Sequence, residues 1–130
     1  MSLTKRLAIA FLLAGLSPAA SFAQTAPFVH GTTIGTSPVQ VLATNPQRRK
    51  IFLFNPNASA SVAYCPAGPN RDTGLPLVCA INGAGSITLT PGQGLMIDGA
   101  VAQGPPLSIG SAWNGIASAG GSTYTIIDFE

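Results

Sequence analysis

Apolar and polar positions alternate along this chain in short blocks separated by turn residues. The most continuous apolar block outside the N-terminus is Ile51-Phe52-Leu53-Phe54, inside RRKIFLFNPNASASVAYC at residues 48–65. A run apolar on both faces predicts a central strand covered on both sides. Asn55-Pro56-Asn57 stops it, because proline cannot donate to a ladder and asparagine suits turns. From Ser61 to Cys65 the alternation resumes, with Val62 and Tyr64 on one face and Ala63 on the other.

The same signals predict further strands at Val39–Ala43, Ser86–Leu89, Leu95–Asp98 and Trp113–Ala117, with a short first one at Phe28–His30. Pro76 demotes Leu75–Val78 to an edge or an extended loop. Leu107–Ile109 pairs at most briefly, after an irregular stretch from Gly99 to Pro106. Asn114-Gly115 is an alternative tight turn. The strand is preferred there because Ala119-Gly120-Gly121-Ser122 is a natural hairpin loop just downstream. Thr123–Phe129 closes the chain as a strand, with Tyr124, Ile126 and Asp128 on one face and Thr125, Ile127 and Phe129 on the other. Thr90-Pro91-Gly92-Gln93 is a strong turn signal, since proline presets one torsion and glycine accepts the positive one. No helical apolar period runs long enough for a helix after residue 23. Short strands with regular turn signals predict an all-β fold, a single antiparallel β-sandwich of Ig-like or jelly-roll-like form.

The N-terminus reads differently. Lys5 and Arg6 precede an apolar core from Leu7 to Leu16, Ser17-Pro18 breaks it, and Ser21-Phe22-Ala23 offers small residues for cleavage. This predicts a signal peptide at 1–23 and a sandwich domain at 24–130. The apolar core is shorter than the roughly 20 residues of a spanning helix, so no stable membrane insertion is expected after its removal. No cysteine follows Ala23 to accept a lipid. The expected location is secreted or periplasmic, in a bacterial host.

Leader removal changes the charge. Arg48, Arg49, Lys50 and Arg71 then face Asp72, Asp98, Asp128 and Glu130, so the +2 of the whole chain belongs to the leader. A net charge near zero gives no reason to expect nucleic acid as a partner. Charged residues are only 8% of the chain, against about 25% in ordinary domains. That scarcity favours association between copies.

Cys65 and Cys79 are the only cysteines. In an exported chain they predict a structural disulfide pinning the Pro66–Gly74 loop. A redox centre would want a close CxxC pair, and a metal site would want more than the lone His30. No metal and no cofactor are expected. A Ser-His-Asp arrangement would have to use His30, and no GxSxG elbow is present. The four carboxylates sit in turns or at strand ends, which accounts for them without paired-acid glycoside chemistry. Trp113, Tyr64 and Tyr124 are candidate sugar-stacking residues, although aromatics in a small sandwich are more often core or interface. Arg48 and Arg49, with Lys50, are candidate anion contacts, set against a role capping the start of a buried strand. Asn57-Ala58-Ser59 matches a glycosylation sequon, which matters only in a eukaryotic secretory host.

Taken in order, GTSPVQVLATNPQRRKIFLFNPN, ITLTPGQGLMIDGAV and GIASAGGSTYTIIDF resemble the layout of small β-sandwich proteins of phage virions, of the capsid-decoration or fibre-associated kind, and of similar bacterial secreted proteins. The resemblance covers residues 31–129 and rests on strand order and the TPGQ turn, so no functional residue carries over. It implies a structural, non-catalytic module that forms homo-oligomers, a trimer among them. The signal peptide and the cysteine pair are not part of that layout. The expected function is therefore a small secreted structural or assembly module that is not an enzyme. The alternative is a module binding carbohydrate or the cell envelope, with a hydrolase or hydrolase inhibitor further off.

Overall fold

The computed structural model describes residues 27–69, 73–99 and 109–130. The predicted leader, Arg71, Asp72 and most of the stretch from Gly99 to Ile109 lie outside the described residues. The strands are β1 (Phe28–His30), β2 (Thr33–Ile34), β3 (Val39–Leu42), β4 (Lys50–Phe54) and β5 (Val62–Pro66), followed by β6 (Ile87–Leu89), β7 (Gly94–Asp98), β8 (Trp113–Ala117), β9 (Ser122–Thr123) and β10 (Thr125–Phe129). They form two four-stranded sheets, β1-β10-β4-β7 and β3-β8-β5-β6, with the small pair β2-β9 beside them. Every described pairing is antiparallel. The all-β sandwich read from the alternation is the fold.

Consecutive strands mostly belong to opposite sheets; only β5 and β6 follow one another and also pair. This corrects two local readings. Asn55–Asn57 does not fold β4 back onto β5 but carries the chain from the first sheet to the second. Ala119–Ser122 likewise links β8 in the second sheet to β10 in the first, and Ser122–Thr123 becomes β9 against β2. Two-residue strands are too short to carry an alternation, which is why that pair is not visible in the pattern. Asn114-Gly115 lies inside β8, as the preferred reading had it.

The core is the set of alternate positions between the sheets. Ile51, Leu53, Ile97 and Ile126 come from the first sheet; Val41, Leu42, Val62, Tyr64, Leu89, Trp113 and Ala117 come from the second. β4 is central, paired to β10 on one side and β7 on the other. Covered on both faces it is not: Ile51 and Leu53 are buried, whereas Phe52 and Phe54 on the outer face are half-buried.

The two outer faces differ. In β5 all five residues are buried, because the segment after it folds back over the second sheet. Cys65 and Cys79 are joined by a disulfide with their Cα atoms 5.6 Å apart. Cys79 Sγ lies 3.6 Å from the carbonyl oxygen of Asn114 and 4.0 Å from that of Ala63. Asn82 N donates to Thr88 Oγ1 at 2.8 Å, and Ala80 N to Ser86 Oγ at 3.2 Å. The predicted bond is present, and the segment it holds down is the one around Cys79–Ser86 rather than only the polar loop ahead of it. Leu75–Val78 forms no strand; Pro76 makes one isolated bridge with Pro69. Labelling without reductant is expected to find neither thiol. Cys65→Ser is expected to lower stability by about 2–4 kcal/mol in chemical denaturation. Unchanged stability would mean that the flap stays down without its bond.

Candidate functional site

Hydrogen-bonding groups gather at the two ends of the sandwich, where strands stop and links cross between sheets. At one end Arg48 precedes β4 and turns inward. Its Nε lies 3.0 Å from Asp128 Oδ2, with both side chains buried. Nη1 donates to the carbonyl oxygens of Ile109 and Ser111 at 2.9 Å each, and Nη2 to that of Ala43 at 2.8 Å. The planar guanidinium is suited to this, since it presents several donors in a fixed fork. One side chain thus ties the end of β3, the lead into β8 and strand β10 together. Backbone and side chain of Asn45 add two further ties, to Gly110 O at 2.9 Å and Glu130 Oε1 at 2.8 Å. Asp128 Oδ1 has no hydrogen-bond partner among the described residues. A shallow open cleft of about 500 Å³ lies over this end, lined by Thr44, Pro46, Ala67, Ser111 and the flank of Arg48. The guanidinium's contacts are with protein groups, so the cleft offers no unspent cation.

At the other end Asn55 is fully buried. Its Nδ2 donates to the carbonyl oxygens of Ala60 and Leu89 at 2.9 Å each. Its Oδ1 accepts from Asn57 N at 3.1 Å and Asn57 Nδ2 at 2.7 Å. Asn57 in turn donates to Thr123 O at 2.7 Å and accepts from Thr123 N at 2.9 Å. The TPGQ turn closes here: Gly92 has φ of +74°, Gly92 N donates to Asn55 O, and Asn55 N donates to Gln93 O. The sequon asparagine is therefore a tie between links.

The aromatic site residues are placed inside. Trp113 and Tyr64 are 0% exposed and Tyr124 6%. Rings so enclosed present no face to a sugar, which corrects their assignment as stacking residues. The reason is register: Trp113 and Tyr64 fall on the inward-pointing alternation of β8 and β5. Tyr64 Oη donates to the carbonyl oxygen of Phe54 at 2.9 Å, joining β5 to β4 across the sandwich. Tyr124 Oη makes a longer contact with Val41 O at 3.4 Å. Burial raises the pKa of both phenols, Tyr64 more strongly with Tyr124 nearby as a second cause. Both hydroxyls therefore stay neutral donors at physiological pH. Trp113 Nε1 has no hydrogen-bond partner among the described residues.

The anion-contact reading for Arg48 is corrected by its burial and its ties. Arg49 is exposed; its backbone N donates to Phe129 O and its carbonyl accepts from Gly99 N. Lys50 Nζ lies 3.0 Å from Asp98 Oδ2. Arg48 and Lys50 thus pair with different carboxylates, those of Asp128 and Asp98. Asp98, Asp128 and Glu130 likewise each have a different partner. Among the described residues no three His, Cys, Asp or Glu side chains gather closely enough to hold a metal.

Apolar side chains are exposed away from the two ends of the sandwich. On the outer face of the first sheet, Val29, Ile127, Phe52 and Met96 stand side by side across β1, β10, β4 and β7. Val29 is 68% exposed and Met96 51%. The rings of Phe52 and Phe54 stack with centroids 6.2 Å apart and planes 12° from parallel. They lie over Gly94, where an added Cβ would come within 2.6 Å of Phe52 Cζ. Glycine there lets the rings lie down on the sheet, and the face is flat as a result. The sequence signal was present in the alternation of β4 and β10; what it lacked was which side the rest of the chain covers. No protein-family model, no curated protein and no solved structure matches this chain.

Proposed function

We propose that this protein is a non-catalytic structural module, exported to the periplasm or cell exterior, that works by associating with copies of itself. The observation that carries this is the contrast between its polar groups and its surface. Arg48, Asn55, Asn57, Asp128 and Tyr64 are spent on tying links and sheets together. One sheet meanwhile presents a flat apolar face to solvent. Exposed apolar patches on small domains mark interaction surfaces. The scarcity of charge leaves little to hold copies apart, and the short edge strand β1, Phe-Val-His, carries no lysine to block pairing. The disulfide fits an oxidising compartment, in line with the leader-like N-terminus. The resemblance to virion decoration and fibre-associated proteins points to the same kind of role. Carbohydrate binding loses its three aromatic residues to the core.

The test is made on protein recovered from the exported fraction. N-terminal sequencing is expected to begin at Gln24, and light scattering at micromolar concentration and moderate salt is expected to give a mass above the monomer. An intact Met1 in the membrane fraction would overturn the export reading. A monomer mass at every concentration would overturn the assembly reading.

A further inference from the structure

Resting on that reading, we infer that the contact surface is the outer face of the first sheet, and that its occupant is the same face of a second copy, packed sheet on sheet about a two-fold axis. The two sheets differ in what covers them. The disulfide-held flap lies over the second sheet and buries Ala63 and Cys65 on its outer face. The first sheet carries apolar residues at the matching positions, Phe52, Phe54 and Ile127, and these remain partly exposed.

Charge separates the occupants this face suits. Among the described residues its charged ones are Lys50 and Asp98, neighbours across β4 and β7 at 3.0 Å. They offset each other, so an identical face meets no like-charge penalty, while an acidic or basic partner finds no complementary field. Shape agrees. With Phe52 and Phe54 lying over Gly94, the rings lie along the sheet and suit packing against another sheet, as two sheets pack about 10 Å apart in a sandwich.

The apolar row maps onto itself. A two-fold axis along the strands sets Val29 against Met96 of the second copy and Ile127 against its Phe52. The two most exposed side chains of the row then cover each other at both edges. Strands up to five residues long, about 4.8 Å apart and rising about 3.4 Å per residue, give a face of ~320 Å² in projection. Side-chain relief raises the total for two faces toward the ~1,000 Å² at which specific interfaces begin. The contact is therefore a reversible dimer whose population rises with concentration.

The experiment compares the exported protein with Val29→Glu, Met96→Glu and, as control, Val78→Glu on the disulfide-held flap, where the side chain is 73% exposed. All three positions are open enough for the fold to tolerate a carboxylate, and an unchanged melting temperature at low concentration checks this. Sedimentation over a concentration series is expected to show a monomer–dimer equilibrium. Val29→Glu and Met96→Glu are expected to weaken it at least tenfold, with Val78→Glu unchanged. Self-association that survives both face variants, or that gives a trimer, overturns the face-to-face pairing and leaves the assembly reading standing. A wild-type protein that stays monomeric overturns both.

Discussion

Arg48→Ala is expected to lower stability by about 3–5 kcal/mol, the range seen when one partner of a buried ion pair is removed. Two losses combine. Asp128 keeps a carboxylate between the sheets with its counter-charge gone, and the carbonyls of Ala43, Ile109 and Ser111 lose their donor. Against a total of about 5–15 kcal/mol for a domain, this is a large share. It corresponds to a fall in melting temperature of about 15–30 °C. A paired replacement, Arg48→Met with Asp128→Leu, is expected to recover much of the loss, since the desolvation cost of both charges then disappears. Thermal unfolding followed by circular dichroism reads all three proteins. A melting temperature within a few degrees of wild type for Arg48→Ala would show that the guanidinium is not holding this end together.

Trp113→Ala is expected to cost about 3–5 kcal/mol, the range for emptying a large buried side chain. The ring is fully enclosed, begins β8, and pairs in register with Leu42 and Pro66. Its indole N–H has no partner among the described residues, so its contribution is packing. Trp113→Phe is accordingly expected to lose less, because it keeps much of the volume and removes a buried donor. Trp113 is the only tryptophan, so its emission in the wild type is expected to be blue-shifted and poorly quenched by iodide. Emission typical of water, or a small loss on Ala substitution, would return this ring to the surface and revive the sugar-stacking reading. By the same reasoning Phe52→Ala and Phe54→Ala, which face outward, act chiefly on association, and Ile51 and Leu53 take the core role on β4.

Residues 62–65 and 124–128 carry their facing in the local alternation alone. Val62 and Tyr64 on one face, and Tyr124, Ile126 and Asp128 on one face, are found as the alternation placed them. The structure reverses the roles of Arg48 and Phe52. A cluster of three basic residues ahead of an apolar strand looks like a solvated cap, and nothing nearby marks Arg48 for burial. Its counter-charge lies 80 residues away, and two of its three carbonyl partners lie more than 60 residues away. Phe52 looks like core because its block is apolar on both faces. No local signal says that the disulfide-held flap lies on the other sheet.

The all-β fold, most strand positions, the TPGQ turn and the cysteine pairing were legible in the residues alone. These follow from local physics: side chains alternate with a period of two, proline and glycine restrict or free the backbone, and when only two cysteines are present a disulfide can join only those two. It took the folded chain to show that consecutive strands mostly go to opposite sheets, that the candidate aromatics are core, and that Arg48 and Asn55 close the two ends. The folded chain also decides which sheet the disulfide-held flap leaves bare. Each of these depends on which distant segments meet, and a pattern of period two is the same whichever sheet a strand joins and whichever face is left to water.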